Sequence, residues 1–325
     1  MLVRNLAGMV ACLLLGACSA TGQNAPTEPT GEQASRAVAS KHRVVILTDM
    51  EADPDDTQSL IRLLLYSNEI DIEALVATTS IWKKKDIRPD SIRTTLGKYG
   101  EVYDTLSQHA PDYPTESELQ DLVMSGQPGY GMASVGTGQS TEGSDAIIRL
   151  LEVEDDRPLW ISVWGGANTL AQALHDVRET KSDAEAARLI SKLRVYTISD
   201  QDDSGIWMRR EFPSLFYIVS PGEYGRSTWT AITRGFPGFE DHISNQWIAE
   251  NIQQDHGPLG ARYPDVVWGM EGDTPAYLSL IPNGLNVPDR PDWGGWGGRY
   301  ELYAPSADEI GVGPGKLGSG RVRVD

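Results

Sequence analysis

The chain has 325 residues, 40% of them hydrophobic and 23% charged, an ordinary globular balance that suits one large α/β domain of about 270 residues. Asp and Glu number 46 against 28 Lys and Arg, a formal net charge of −18. Such a field repels a phosphate backbone and argues against nucleic-acid binding. Cys12 and Cys18 are the only cysteines, so everything after them lacks a disulfide or a thiolate-bound metal.

Residues 1–18 read as a lipoprotein signal peptide. Arg4 supplies a positive start, and Leu6 to Ala17 is an apolar stretch too short to span a bilayer. Leu15-Gly16-Ala17-Cys18 resembles the bacterial lipobox, which implies cleavage before Cys18 and a lipid anchor on it; a plain signal peptide with a chance cysteine is the alternative. Several acyl chains on one residue suffice for stable anchoring. Ser19 after the cysteine points to the outer membrane and the periplasm-facing envelope. Residues 19–40 carry Ala, Thr, Gly, Pro, Gln and Glu with no apolar period, the composition of a disordered tether. The folded domain is expected over 41–305.

Val44-Val-Ile-Leu47 is a short apolar run without alternation, the pattern of a strand buried on both faces of a parallel sheet. Five carboxylates follow within eight residues: Asp49, Glu51, Asp53, Asp55 and Asp56. An apolar-rich helical run starts at Thr57. The acidic loop thus stands at the C-terminal end of a first strand, where open α/β sheets place ligands. Like charges so close repel one another and call for solvation or a divalent cation. Asp55 and Asp56 as caps of the following helix are the plainer alternative.

Further along, 70–79 reads as a second strand and 87–107 as a helix with Pro89 near its start. The glycine-rich stretch Gly126 to Gly138 is long for a connection and reads as a mobile active-site loop; without Gly-Lys-Ser/Thr it is no P-loop. A helix over 142–153 and a strand over 159–163 precede Gly165-Gly-Ala-Asn168, which turns into another helix. Strands at 193–198 and 215–219 follow. Strands alternating with helices indicate an α/β fold with a mostly parallel open sheet, covered by helices on both faces. Beyond Asp265 the chain becomes rich in Gly, Pro and Trp, and 306–325 read as an irregular tail. No Gly-x-Ser-x-Gly elbow is present and the five histidines are scattered, so covalent nucleophilic catalysis is unsupported.

Asp49-Met-Glu51-Ala-Asp53-Pro-Asp55-Asp56 resembles the Asp-x-Asp-x-x-x-Asp-Asp signature of calcium-dependent nucleoside hydrolases, and more closely the nucleoside hydrolase-like domain of the Sde182 "cellulose-binding" type. Glu51 stands where the signature has its second Asp, and Asp53 where it usually has Gly. Three other segments carry the likeness. Val163-Trp164-Gly165-Gly166-Ala-Asn168-Thr169 resembles the turn whose carbonyl ligates calcium, which maps to Trp164; a tight strand-to-helix turn would look the same. Glu271-Gly272-Asp273 resembles the last ligand segment, with Gly272 in place of a His that assists the leaving group. Glu211-Phe-Pro213 partly resembles a ribose-holding Glu-Phe-Asn, with Pro213 for Asn, and the acidic turn Asp200 to Asp203 precedes it. The family's β-rich C-terminal domain does not follow in this chain, the pattern of a truncated product.

What the resemblance implies is a calcium-dependent glycosyl hydrolase acting on an N- or O-glycosidic bond of a pentose-like sugar. Ca²⁺ would be held by Glu51, Asp56, the Trp164 carbonyl and Asp273, with Glu51 or Asp55 as the base. Asp49, Asn168, Asp203, Glu211 and Glu271 would bind substrate. Trp293 and Trp296, in a Gly-rich aromatic loop, offer flat rings for sugar stacking, or core packing for one of them. The ligand would be a sugar or nucleoside, or a polysaccharide. A surface lipoprotein that binds carbohydrate without cleaving it is the rival expectation, and a homo-oligomer is left open.

Overall fold

A computed structural model describes residues 41–219 and 243–302; the expected signal peptide with Cys18, the tether and the C-terminal tail lie outside them. Strands β1 (His42–Thr48), β2 (Ile70–Ala77), β3 (Val123–Ser125), β4 (Leu159–Val163), β5 (Leu193–Thr197) and β6 (Phe216–Val219) form one sheet in the order β3-β2-β1-β4-β5-β6, every pairing parallel. This is the expected α/β architecture.

The apolar run of β1 explains its central place. Val44 and Ile46 enter one core while Val45 and Leu47 enter the other, so both faces are buried and no alternation survives in the sequence. Helices α1 (Asp55–Leu65) and α2 (Pro89–Gly100) supply Leu60, Leu63, Ile92 and Leu96 to the first core. Helices labelled α5 (Glu142–Glu152), α6 (Asn168–Thr180), α7 (Asp183–Ser191) and α8 (Ser204–Glu211) supply Ile147, Leu170, Leu174, Leu189 and Met208 to the second. Between them run the short α3 (Tyr103–His109) and α4 (Glu116–Asp121).

The change of face has a topological cause. From β1 the chain moves outward through β2 to β3, then returns across the sheet to β4 and moves the other way. Crossovers of one hand must then place their helices on opposite faces in the two halves. The C-terminal ends of β1 and β4 diverge at this reversal and leave the crevice where such sheets bind ligands.

Some boundaries differ from the sequence pattern. The helix expected over 87–107 is two helices, α2 and α3, parted after Gly100, a residue that weakens a helix interior. Strand β3 has three residues, too short for a pattern to register. The glycine-rich loop is pinned: the Thr79 hydroxyl and the Asn168 amide both donate to the Gly129 carbonyl, at 3.1 and 2.8 Å, and Gln127 donates to Ser134 and Gln139 carbonyls.

Candidate active site

Asp49, Asp53, Asp55 and Asp56 stand at the crevice because of where β1 stops. Thr48 is its last residue; Asp49 follows, and the chain turns through 50–54 before α1 starts at Asp55. Asp49, Asp55 and Asp56 are buried, each with 3% exposure or less. Oxygens of Asp53, Asp55 and Asp56 lie within 4.8 Å of one another. The Thr48 hydroxyl donates to Asp56. Asp55 and Asp56 do not cap α1, whose N-cap position is Pro54 with no side-chain cap bond; just before it, Asp53 Oδ1 accepts the Asp55 N–H at 3.2 Å.

Asp273, more than 200 residues away, is brought to the same place by polar bonds onto α1. The Gln58 amide accepts the Glu271 N–H at 2.8 Å and donates to the Pro264 carbonyl at 3.1 Å. Thr274 bonds Ser59 through their hydroxyls at 3.0 Å, and the Tyr277 hydroxyl donates to the Ser59 carbonyl at 3.0 Å. Arg62 holds Glu271 in a bidentate pair, one arm at 2.9 Å, and Tyr263 donates to it at 2.8 Å. Asp273 is 2% exposed, and its Oδ2, like that of Asp55, is buried without a hydrogen-bond partner.

Burying these anions together raises their affinity for protons. Loss of water pushes Asp49 up to about 7 and holds Asp55, Asp56 and Asp273 well above the usual carboxylate range. The neighbouring negative charges add to this: Asp273 acts on Asp55, and Asp56, Asp53 and Asp49 act on Asp273. Nearby arginines are engaged elsewhere, Arg88 with Glu51, Arg62 with Glu271 and Arg209 with Asp200. An all-oxygen, anionic, partly unpartnered donor set fits a hard divalent cation such as Ca²⁺.

The turn after β4 closes the other side. Trp164 N–H and Gly165 N–H both reach the Leu47 carbonyl, at 2.8 and 3.4 Å, which sets this turn beside the end of β1. A Cβ on Gly165 would stand 2.6 Å from Asp49 Oδ1, and one on Gly166 would stand 2.5 Å from Asp202 Oδ2 and 2.6 Å from the Thr79 carbonyl. Both glycines are required by close approach. Substituting Gly166 by Ala is therefore expected to destabilise the fold by about 1–3 kcal/mol through overpacking, read as a lower denaturant midpoint; an unchanged midpoint would contradict the packing described here. The Trp164 carbonyl already accepts the side-chain N–H of Gln201, which is itself buried and leaves its Oε1 unpartnered.

Several expected positions fall elsewhere. Glu51 adopts a left-handed backbone (φ +70°) and turns outward, where Arg88 Nε donates at 3.0 Å and the Ser91 hydroxyl also donates; these hold its carboxyl below the ordinary range. It does not join the carboxylate cluster, and Asp53 stands there instead. Glu211 closes α8 at the end away from Asp203, about 12 Å along at ~1.5 Å per residue, and pairs with Arg178 at 2.8 Å. Glu271 is spent on Arg62 and Tyr263. Trp296 packs edge-on against Tyr66, just past the end of α1. That is about 16 Å from the acids at the helix start, again at ~1.5 Å per residue. Trp293 lies under Arg290, near Asp289, which pairs with Arg194 at the start of β5. The rings are thus engaged by Tyr66 and Arg290, while the loop itself packs on the segment after Asp273: a Cβ on Gly297 would stand 2.9 Å from the Pro275 carbonyl, and the Tyr196 hydroxyl donates to the Gly297 carbonyl at 2.6 Å.

Asn168 and Asp203 do line the crevice, bound within the fold. The Asn168 side-chain amide donates to the Gly129 carbonyl and its backbone N–H donates to Asp202 Oδ2 at 3.2 Å, while its Oδ1 is buried without a partner. Asp203 Oδ1 accepts the Met132 N–H at 2.8 Å. Asp202 is buried, pushed up to about 6, and receives the Ser204 N–H and hydroxyl. Asp53, Gln201 and Asp202 are the site residues to which the sequence assigned no role; only the density of acids around Asp53 pointed there.

Residues 43–300 match the family described as cellulose-binding Sde182, nucleoside hydrolase-like domain. A nucleoside hydrolase-related hypothetical protein from Saccharophagus degradans, associated with carbohydrate metabolism, has a solved structure 38% identical in sequence, with a TM-score of 0.74. The match covers 88% of this chain and 66% of that one, so the chain spans just under two thirds of that protein's length. The effector protein XOO4466 and the type III effector XopQ in complex with adenosine diphosphate ribose overlap at 14% and 15% identity with TM-scores of 0.29 and 0.30, over 74% of this chain and 81% of each of theirs; at that level they support no argument. No curated protein gives a significant match. On the extent of the family match and of the structural likeness, the chain belongs to the Sde182-type, nucleoside hydrolase-like domain family.

Proposed function

We propose that the protein hydrolyses a glycosidic bond of a pentose-like sugar, with Ca²⁺ held by Asp56 and Asp273 at the end of β1. The observation that supports this most is Asp273, carried across the whole domain to face the acids of α1 with a buried, unpartnered oxygen. A loop of charge that serves nothing would be costly to bury. The Trp164 carbonyl is a further ligand once the Gln201 amide releases it. When bound, the cation would fix the sugar's diol and make a water more acidic.

The chain's own groups do the rest. Asp55 Oδ2 lacks a partner and its burial raises its proton affinity, which suits it to accept the proton of the attacking water. Glu51, tied to Arg88 and Ser91, is not placed for that task. The buried carboxylates favour the positive charge that develops on the sugar ring. Asn168 and Asp202 hold the turn after β4 and keep water from that side. Gly272 offers no proton to a leaving group, so this position does not select purines by protonating them.

Gly272 and Pro213 also favour a second reading, in which the crevice retains carbohydrate without cleaving it. Under either reading we propose that a lipid on Cys18 tethers the domain to the cell envelope. The two are separated by incubating the full chain with nucleosides and pentosides, with calcium or with chelator, and assaying reducing sugar. Calcium-dependent release is the expected result; binding that persists in chelator with no turnover of any compound would select the non-catalytic reading.

A further inference from the structure

The acid loop holds two candidates for one place in the cation site, two residues apart, and their surroundings differ. We propose that Asp53, not Glu51, is the carboxylate that completes the cation site of this protein, an inference that rests on the calcium reading above.

The backbone decides first. Glu51 is in the left-handed region, an arrangement costing about 1 kcal/mol for a residue with a side chain, and the Ala52 N–H closes the turn onto the Asp49 carbonyl at 2.9 Å. That conformation sends the Glu51 side chain toward α2, where Arg88 and Ser91 satisfy both of its oxygens. Its side chain is about half exposed. Recruiting it to the crevice would break both contacts and leave Arg88 unpaired. Asp53 needs no such rearrangement. One of its oxygens already stands within 4.8 Å of ligand atoms of Asp55 and Asp56.

A second, independent observation points to a ligand there. Asp273 and Asp55 are buried and each presents an unpartnered oxygen, and Asp53 offers an oxygen within 4.8 Å of those of Asp55 and Asp56. Asp53 thus joins the cluster of Asp55 and Asp56 and, only partly buried, is open enough to be reached from solvent. With it the crevice brings three carboxylates within 4.8 Å of one another, beside the buried Asp273, an all-oxygen set of the kind that Ca²⁺ takes.

Titration calorimetry of the full chain with calcium chloride, on wild type, Asp53→Asn and Glu51→Gln, tests the proposal. Asparagine keeps the oxygen that accepts the Asp55 N–H and removes only the charge, so a loss in that variant reports ligation rather than unfolding; circular dichroism and the melting temperature in chelator verify the fold. Asp53→Asn is expected to weaken calcium binding at least tenfold, with Glu51→Gln within threefold of wild type. If wild type binds and Asp53→Asn binds equally well, or if Glu51→Gln is the variant that loses binding, Asp53 is not the ligand and the calcium reading survives. If wild type itself binds no calcium, both fall together.

Discussion

Replacing Asp273 by asparagine raises the melting temperature of the cation-free protein and abolishes its stabilisation by calcium. The two effects have one cause. Asp273 is buried among Asp49, Asp53 and Asp56 with no hydrogen bond to its Oδ2. In the cation-free fold the carboxyl either stays charged against its neighbours or keeps a proton that the unfolded chain has already lost at neutral pH. Each unit of upward shift costs about 1.4 kcal/mol of stability above the shifted range. Asparagine has nearly the same shape and neither liability, although its amide then needs partners, which reduces the gain. A net gain of about 1–2 kcal/mol is the scale for relieving strain held at a functional site, and each kcal/mol moves the midpoint of a domain this size by about 2–4 °C. Hydrolysis should fall at least ~10²-fold, as when a charge-stabilising group is removed from a transition state. Differential scanning calorimetry with calcium or chelator reads the first two effects. A variant that melts lower than wild type in chelator, or that calcium still stabilises as fully as wild type, would remove Asp273 from the site.

What the sequence made legible, and what it did not, divides along a physical line. The four apolar residues of β1 announced a strand buried on both faces, because each face of that strand meets its own core. The acids after it, at the end of a strand and the start of a helix, placed the crevice. Composition and spacing reached no further. Asp273 was found through resemblance alone; the bonds that carry it to α1, from Gln58, Ser59 and Arg62, span more than 200 residues and leave no local pattern. The direction of each side chain in the acid run was hidden too. Glu51 is turned away by a left-handed backbone and by Arg88, 37 residues on. A string of carboxylates carries no mark of which one faces inward. Trp293-Gly-Gly-Trp296 reads as offering rings for sugar stacking, or core packing for one of them; both tryptophans are about half exposed, so neither lies in the core. The pattern says nothing of what the loop packs on, which is Tyr66, Tyr196 and the segment after Asp273. Gln201 is an ordinary polar residue in sequence and becomes part of the site only because β5 ends beside the Trp164 carbonyl.

The cation-free protein should be more stable at pH 5 than at pH 8, and calcium should cancel or reverse that trend. Burial raises Asp49 from 3.8 to about 7 and Asp202 to about 6, and holds Asp55, Asp56 and Asp273 well above the ordinary value. Across that window the folded state binds protons that the unfolded chain has lost. Stability then falls as pH rises, by up to about 1.4 kcal/mol per pH unit for each group still titrating. Groups shifted the other way do not offset this. Glu51 and Asp155 are lowered by Ser91 and by Arg157, so their contributions are complete above about pH 4 and are lost only on further acidification. His42, lowered by burial, gains the folded state some stability as pH rises toward neutrality, one group against several. Calcium requires the carboxylates ionised, so its affinity climbs with pH while the empty fold weakens. A saturating excess of about 100 times Kd adds ~2.7 kcal/mol, and that addition should be large at pH 8 and nearly absent at pH 5, where protons occupy the same oxygens. Melting temperatures across this range, with calcium and with chelator, test the point. A cation-free midpoint that stays level or climbs from pH 5 to pH 8 would mean that these aspartates are not buried as a cluster, and no ion would be needed to hold them together.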